Sequence, residues 1–445
     1  MARPFLPGSP GHVLYNAALS AGVILGFPVW VPWVLLSRKR RSNFPDRLGV
    51  RGALPAAPPA GRSTVWMHAV SVGETNASVP LLHRLRERAP DARLLLSNVT
   101  ITGRGTAEKA LEGVIDGRFY FPFDLPGVSG RFLDRVRPDV VVVVETEIWP
   151  NFLAACARRG VPVVVVNGRL SERSYRGYAR FRWFFAAVLR TLRAISAQTR
   201  EDADRFVALG ADPGIVTVGG NLKFDMSPPE TGASSLSVLL EGEKASGTRW
   251  IVAGSTHPGE EAAVLRAFLP AHRKAPGLKL LLAPRHPERF AEVEALLQQE
   301  GAPPARRTAI EGGTSRFGEA VLLLDTVGEL SSAYAAADIA FVGGSLVPKG
   351  GHNVLEPAWH GVPTIVGPHM DNFREIAGAF LGAGALLQVA GEEDLSAAFA
   401  RFAESPETFL EIGRKGRDLL DAFRGASKRN AEVVLSAMRG PVSPS

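Results

Sequence analysis

Residues 140–144 are five consecutive valines, followed at once by Glu145, Thr146, Glu147, Ile148 and Trp149. A strand with no polar position presents apolar side chains on both faces, so both faces need cover. An interior strand of a parallel sheet with helices on each side meets that demand. Residues 64–67, 92–97, 139–144 and 162–166 read as such strands, with an amphipathic helix over 74–88. A second series covers residues 250–253, 279–283, 320–324, 338–342 and 363–366, each run leading into a loop and then a helical pattern. Strand and helix alternate throughout, which predicts two doubly wound α/β domains.

The 445 residues exceed one ordinary domain, and 46% hydrophobic with 21% charged residues suits globular cores. Prolines at 55, 58 and 59 mark a spacer, and the proline- and serine-rich stretch 227–235 is the best candidate linker. The expected organisation is therefore an anchor and basic flank over 1–45, a first Rossmann-like domain over 46–226 and a linker region over 227–247. A second Rossmann-like domain follows over 248–425, then a C-terminal helix and tail over 426–445. In such sheets ligands bind beyond the carboxyl ends of the strands, here in a cleft between the two domains. Cys156, the single cysteine, excludes an intrachain disulfide and reads as a buried small hydrophobe rather than a nucleophile.

Residues 13–36 form an apolar run long enough to cross a bilayer, with Trp30 and Trp33 near its end and Arg38, Lys39, Arg40 and Arg41 behind it. A cleaved signal would carry its basic residues in front, so the run predicts a membrane anchor with a cytoplasmic exit. Pro28 and Pro32 would kink a spanning helix, which leaves an interfacial segment equally open. The net charge of +7 favours acidic partners. Its position beside the apolar run points to an anionic membrane surface and not to nucleic acid.

Residues 343–372 offer a glycine-rich loop after a strand and the start of a helix over 353–359. Unpaired N–H groups there suit an anion, Gly344 allows close backbone approach, and Glu356 can accept from ribose hydroxyls, so a sugar nucleotide fits. The stretch is neither GxGxxG nor a Walker sequence, since His352 stands where a P-loop carries Lys. Ser255 and Thr256 head a second polar loop, Arg285 a third, and residues 326–330 a fourth, each able to bind phosphate or simply to cap a helix.

In the first domain Glu74 stands at the mouth of a helix, as a general base or as a complement to the helix dipole. Glu145 and Glu147 point to opposite sides if their strand continues, so that one of them faces the cleft. A glycosidase also uses paired acids, but has no need of a nucleotide cradle. Lys223, just before the linker, can place a point charge on a phosphate. No histidine spacing suits a metal, and none is expected.

The motifs HAVSVGET, VVETEIWPN, NGRLSERS, NLKFD, STHPGEE, APRHPERF, FVGGSLVPKGGHNVLEP and GPHMDNF resemble those of the 3-deoxy-D-manno-octulosonic acid (Kdo) transferase family of lipopolysaccharide synthesis, in order and over nearly the whole chain. The resemblance implies a GT-B fold and inverting, metal- and cofactor-free transfer of Kdo from CMP-Kdo to a lipid A precursor. It places the enzyme at the cytoplasmic face of the bacterial inner membrane. By the same resemblance Glu74 is the general base, and Glu145 and Lys223 are transition-state stabilisers. Pro284, Arg285, Val327, Gly328, Glu329, Asn353, Val354, Leu355 and Glu356 are contacts to CMP, Val327 through its backbone. Two competing readings are a nucleotide-sugar epimerase of the same architecture, which has no reason to keep an anchor, and a non-catalytic nucleotide-binding module at the membrane surface, which would not need Glu74.

Overall fold

Seven strands of the first unit, β1 (Thr64–His68), β2 (Arg93–Asn98), β3 (Gly117–Tyr120), β4 (Val140–Val144), β5 (Val163–Gly168), β6 (Ala194–Ala197) and β7 (Val216–Val218), form one parallel sheet in the order β3-β2-β1-β4-β5-β6-β7. The computed structural model describes residues 5–36, 38–50, 54–59, 61–227, 235–310 and 318–439. The five valines of β4 are fully buried and face two different cores, Val141 and Val143 on one side and Val140, Val142 and Val144 on the other. That is the covering on both faces that their apolar run demanded.

The second unit repeats the plan. Its strands β8 (Arg249–Thr256), β9 (Leu278–Pro284), β10 (Ala305–Arg306), β11 (Val321–Leu323), β12 (Ile339–Val342), β13 (Thr364–Val366) and β14 (Leu387–Gln388) lie parallel in the order β10-β11-β9-β8-β12-β13-β14. In both sheets the order reverses beside the first strand, between β1 and β4 and between β8 and β12. Loops leaving such a switch point diverge and open a crevice at the carboxyl ends. The short strands β3, β6, β7, β10 and β14 escape a sequence reading because, unlike β11 to β13, they lie in no apolar run long enough to mark a strand.

The chain divides at Met226, and residues from Phe423 onward return to the first unit. Ala426, Ala431 and Val434 of the helix Ala426–Met438 join the core formed with Val140, Val142 and Val164. Asp225 anchors this return, since its two carboxylate oxygens accept from the backbone N–H groups of Gly425 at 2.6 Å and Ser427 at 2.5 Å. The helix Ser235–Ala245, expected as part of the linker, belongs to the second unit. Its Leu236, Leu239 and Leu240 are buried with Trp250 and Val252. Residues 228–234 of the expected linker and 440–445 of the tail lie outside the described residues.

The helix Pro10–Leu35 is long and apolar enough to cross a membrane. Its first turns are nonetheless tied to the first unit. Tyr15 donates to Asp124 at 2.8 Å, Asn16 and Asn151 exchange hydrogen bonds at 3.0 and 2.8 Å, and the buried Phe5 meets Phe184 edge-on at 5.2 Å. Ile24, Leu25 and Val29 are exposed on it. The side chains of the basic run 38–41 lie outside the described residues.

Candidate active site

In the first unit, the turn after β1 delivers Ser71 as the N-cap of the helix Val72–Arg88. Glu74, one turn in, is nearly buried. Its Oε2 accepts from the Val70 N–H at 2.7 Å and its Oε1 from the Ser71 hydroxyl at 2.9 Å. The dipole-complementing role and a fixed carboxylate are therefore one arrangement.

The strand β4 ends at Val144, and Glu145 adopts φ 62°, a left-handed conformation uncommon for a residue with a side chain. That breaks the alternation expected to separate Glu145 from Glu147. The Glu147 carboxyl is pushed up to about 7, first by burial and then by the charges of both Glu74 and Glu145. Three carboxyl groups thus share one neighbourhood at the switch point of the first sheet. Glu147 is the member that sequence reasoning set aside.

Lys223 lies half-buried in the short 3₁₀ turn Leu222–Asp225. Buried Asn167 positions this turn by accepting the Leu222 N–H at 2.9 Å, while Asn221 accepts the Lys223 N–H at 3.0 Å and donates to Gln198 at 2.9 Å. His68, at the end of β1, is a core residue. It stacks on Phe121 at 3.7 Å, and burial lowers its pKa to about 3.

In the second unit the glycine-rich stretch differs from expectation. The N–H groups of Gly344, Ser345 and Leu346 all donate to Glu260, at 2.6, 3.0 and 2.9 Å, and the His257 N–H is a fourth donor to the same carboxylate at 2.9 Å. Those groups are not open to an anion, because a buried carboxylate already uses them. Glu260 was missed; its place three residues after His257, at the start of a helix, is the only signal the sequence carries. A Cβ on Gly343 would stand 2.5 Å from the Ser255 carbonyl oxygen, so glycine lets the loops after β8 and β12 touch.

The helix expected over 353–359 is only Leu355–Trp359, five residues long. Asn353 accepts from the Leu355 N–H at 3.2 Å and donates to Glu356 at 3.2 Å, and burial raises the Glu356 carboxyl against the opposing charge of Arg285. Val354 and Leu355 are fully buried, which leaves only their backbone for a ligand. Thr256 is fully buried too, so its hydroxyl cannot reach one, whereas Ser255 is half-buried at φ 57°. Pro284 is buried and Arg285 exposed beyond β9. Val327 and Gly328 are exposed, and Glu329 accepts from Thr326 at 2.5 Å and Arg307 at 3.2 Å.

The structure therefore gathers the cations Arg285 and Lys349 with His257, His286 and His352 in one neighbourhood, with Asn353 and Glu356 beside Arg285. Such a group suits a phosphate and a sugar acid. Among the described residues no three His, Cys, Asp or Glu side chains converge as metal ligands.

Residues 42–226 match the family described as 3-deoxy-D-manno-octulosonic-acid transferase (kdotransferase). A 3-deoxy-D-manno-octulosonic acid transferase of Bordetella pertussis is 39% identical over 398 residues, 88% of this chain and 90% of that one. The chain belongs to the 3-deoxy-D-manno-octulosonic acid transferase family. The Haemophilus influenzae transferase is 35% identical, over 89% of this chain and 92% of its own length. Membership makes the chain a glycosyltransferase, and its two parallel-sheet units are those of the GT-B fold. The crystal structure of UDP-GlcNAc 2-epimerase from Neisseria meningitidis bound to UDP-GlcNAc covers 84% of this chain and all of its own, with a TM-score of 0.55. At 14% identity that likeness concerns the fold alone.

Proposed function

We propose that this transferase moves Kdo from CMP-Kdo to a hydroxyl of a lipid A precursor, in one inverting displacement. The observation that carries the reading is Glu74, held by Ser71 and Val70 beside Glu145 and Glu147 in a member of this family. Glu74 takes the proton of the acceptor hydroxyl as that oxygen bonds to the anomeric carbon and the bond from that carbon to the phosphate oxygen of CMP breaks. Glu145 eases the positive charge developing on the sugar ring, and Lys223 opposes the charge gathering on the phosphate. Arg285, Asn353 and Glu356, with the backbone of 327–329 and 354–355, hold CMP. No metal or cofactor enters this scheme.

The helix Pro10–Leu35 is assigned to the cytoplasmic face of the bacterial inner membrane, where donor and lipid acceptor meet. Its bonds through Tyr15 and Asn16 favour a segment lying in the interface. Mass spectrometry of membranes carrying the protein, CMP-Kdo and a tetraacylated lipid A precursor tests the assignment. A lipid heavier by one or more Kdo units is expected. Unchanged lipid with intact donor and folded protein would overturn it.

A further inference from the structure

His257 directly follows β8 and His352 lies late in the glycine-rich loop after β12, the two strands that flank the switch point of the second sheet. Their Nε2 atoms lie 2.8 Å apart, and their rings are parallel within 5° at a centroid separation of 5.1 Å. Nitrogens at that distance share one hydrogen. Two neutral rings satisfy this with opposite tautomers, one donating through Nε2 and the other accepting there. One further proton can be added, on Nδ1 of the donating ring, without breaking the bond. A second would set two N–H donors against each other. The pair is therefore limited to a single added charge.

The groups around it decide when that charge appears. His286 lies edge-on to His257 at 5.3 Å, and Arg285, Arg289 and Lys349 add positive charge. Arg289 is balanced by Glu261 at 2.6 Å and Glu292 at 2.8 Å. Glu260, which accepts the His257 backbone N–H, is saturated by four backbone donors, Glu356 is engaged by Asn353, and the exposed Glu288 lies 3.8 Å from His286. Burial and these cations together hold His352 down to about 4 and His257 below its usual range.

We propose that the His257–His352 pair is a one-proton switch for an acidic donor: it stays neutral in the free enzyme and takes up a proton when a ligand bringing negative charge binds beside Arg285. This rests on the donor-site reading above and deepens it, because a donor with both a phosphodiester and a sugar carboxylate supplies two charges to offset the cations. The ligand-bound pair binds more protons than the free pair, so affinity rises as pH falls, by up to about tenfold per pH unit for one proton.

The test is calorimetric titration of the full-length protein in detergent with CMP, between pH 6.5 and 8, in two buffers of different ionisation enthalpy. His352→Asn and His257→Gln serve as references, since the proton exchange of CMP itself is common to all three proteins. Wild type is expected to take up more protons than either variant, by up to about one, with the difference growing toward pH 6.5. The acid side of its kcat/KM profile for CMP-Kdo should flatten in both variants, with kcat less affected than KM. Equal proton uptake in wild type and in whichever variant folds and binds CMP overturns the switch. Failure of wild type to bind CMP at all would instead overturn the donor site on which it rests.

Discussion

Ser71 and Glu74 hold each other from both directions: the Glu74 N–H donates to Ser71 Oγ at 3.4 Å, and that hydroxyl donates to Glu74 Oε1 at 2.9 Å. A carboxylate fixed in this way can serve a helix and a reaction together. Glu74→Gln keeps much of the cap and removes the proposed base, so it should lower turnover by about 100-fold or more while leaving CMP affinity unchanged. Single-turnover assays beside CMP titration check this. Wild-type turnover in Glu74→Gln would reduce the residue to a cap.

Ser71→Ala makes the complementary change. It leaves the Glu74 charge but removes the hydroxyl that orients it, and the helix loses its N-cap. We expect a stability loss of about 1 kcal/mol in denaturant melts, and a fall in kcat smaller than that of Glu74→Gln. A fall as large as that of Glu74→Gln would show that the hydroxyl does more than orient the carboxylate.

Glu147 predicts a pH dependence of stability. Its folded carboxyl is raised to about 7 from an ordinary value of 4.5, so the folded chain binds this proton more tightly than the unfolded one. The associated stability is present below about 4.5 and is lost as pH rises through 7. Glu147→Gln carries no such proton. The drop in melting temperature between pH 5 and 8 should therefore be smaller in the variant, and an equal drop would exclude the assignment.

Glu260→Ala strips the acceptor from four backbone donors at His257, Gly344, Ser345 and Leu346. Each donor left buried and unpaired costs roughly 1–3 kcal/mol, offset where water enters. Amide hydrogen exchange over 344–346 should accelerate strongly and CMP binding should weaken, while exchange in β1 and β4 stays slow. Protection retained at 344–346 would refute this account of the loop.

The helix Pro10–Leu35 divides into a part tied to the first unit and a part proposed to meet the membrane. Ile24→Glu with Leu25→Glu alters exposed positions and should reduce flotation with anionic vesicles without changing the melting temperature. Tyr15→Phe with Asn16→Ala breaks bonds to Asp124 and Asn151 and should lower the melting temperature while flotation persists.

Two doubly wound sheets follow from the chain's own periodicity. Runs such as 140–144 have no polar face to show to water, and that property is local, so it survives without any knowledge of the fold. The positions of Glu74, Glu145, Lys223 and Arg285 at strand ends or turns are legible for the same reason. Which groups meet there is not. The turn of Glu145 to φ 62° brings Glu147 into the company of Glu74, against the alternation that a continued strand would impose. The glycine-rich loop looks open in sequence because its acceptor, Glu260, lies 84 residues before Gly344. Asp225 likewise reaches Gly425 across 200 residues to recover the last helix for the first unit. Side-chain period is set by neighbours along the chain, whereas the pairing of buried charges and donors is settled only when distant segments close on one another and exclude water.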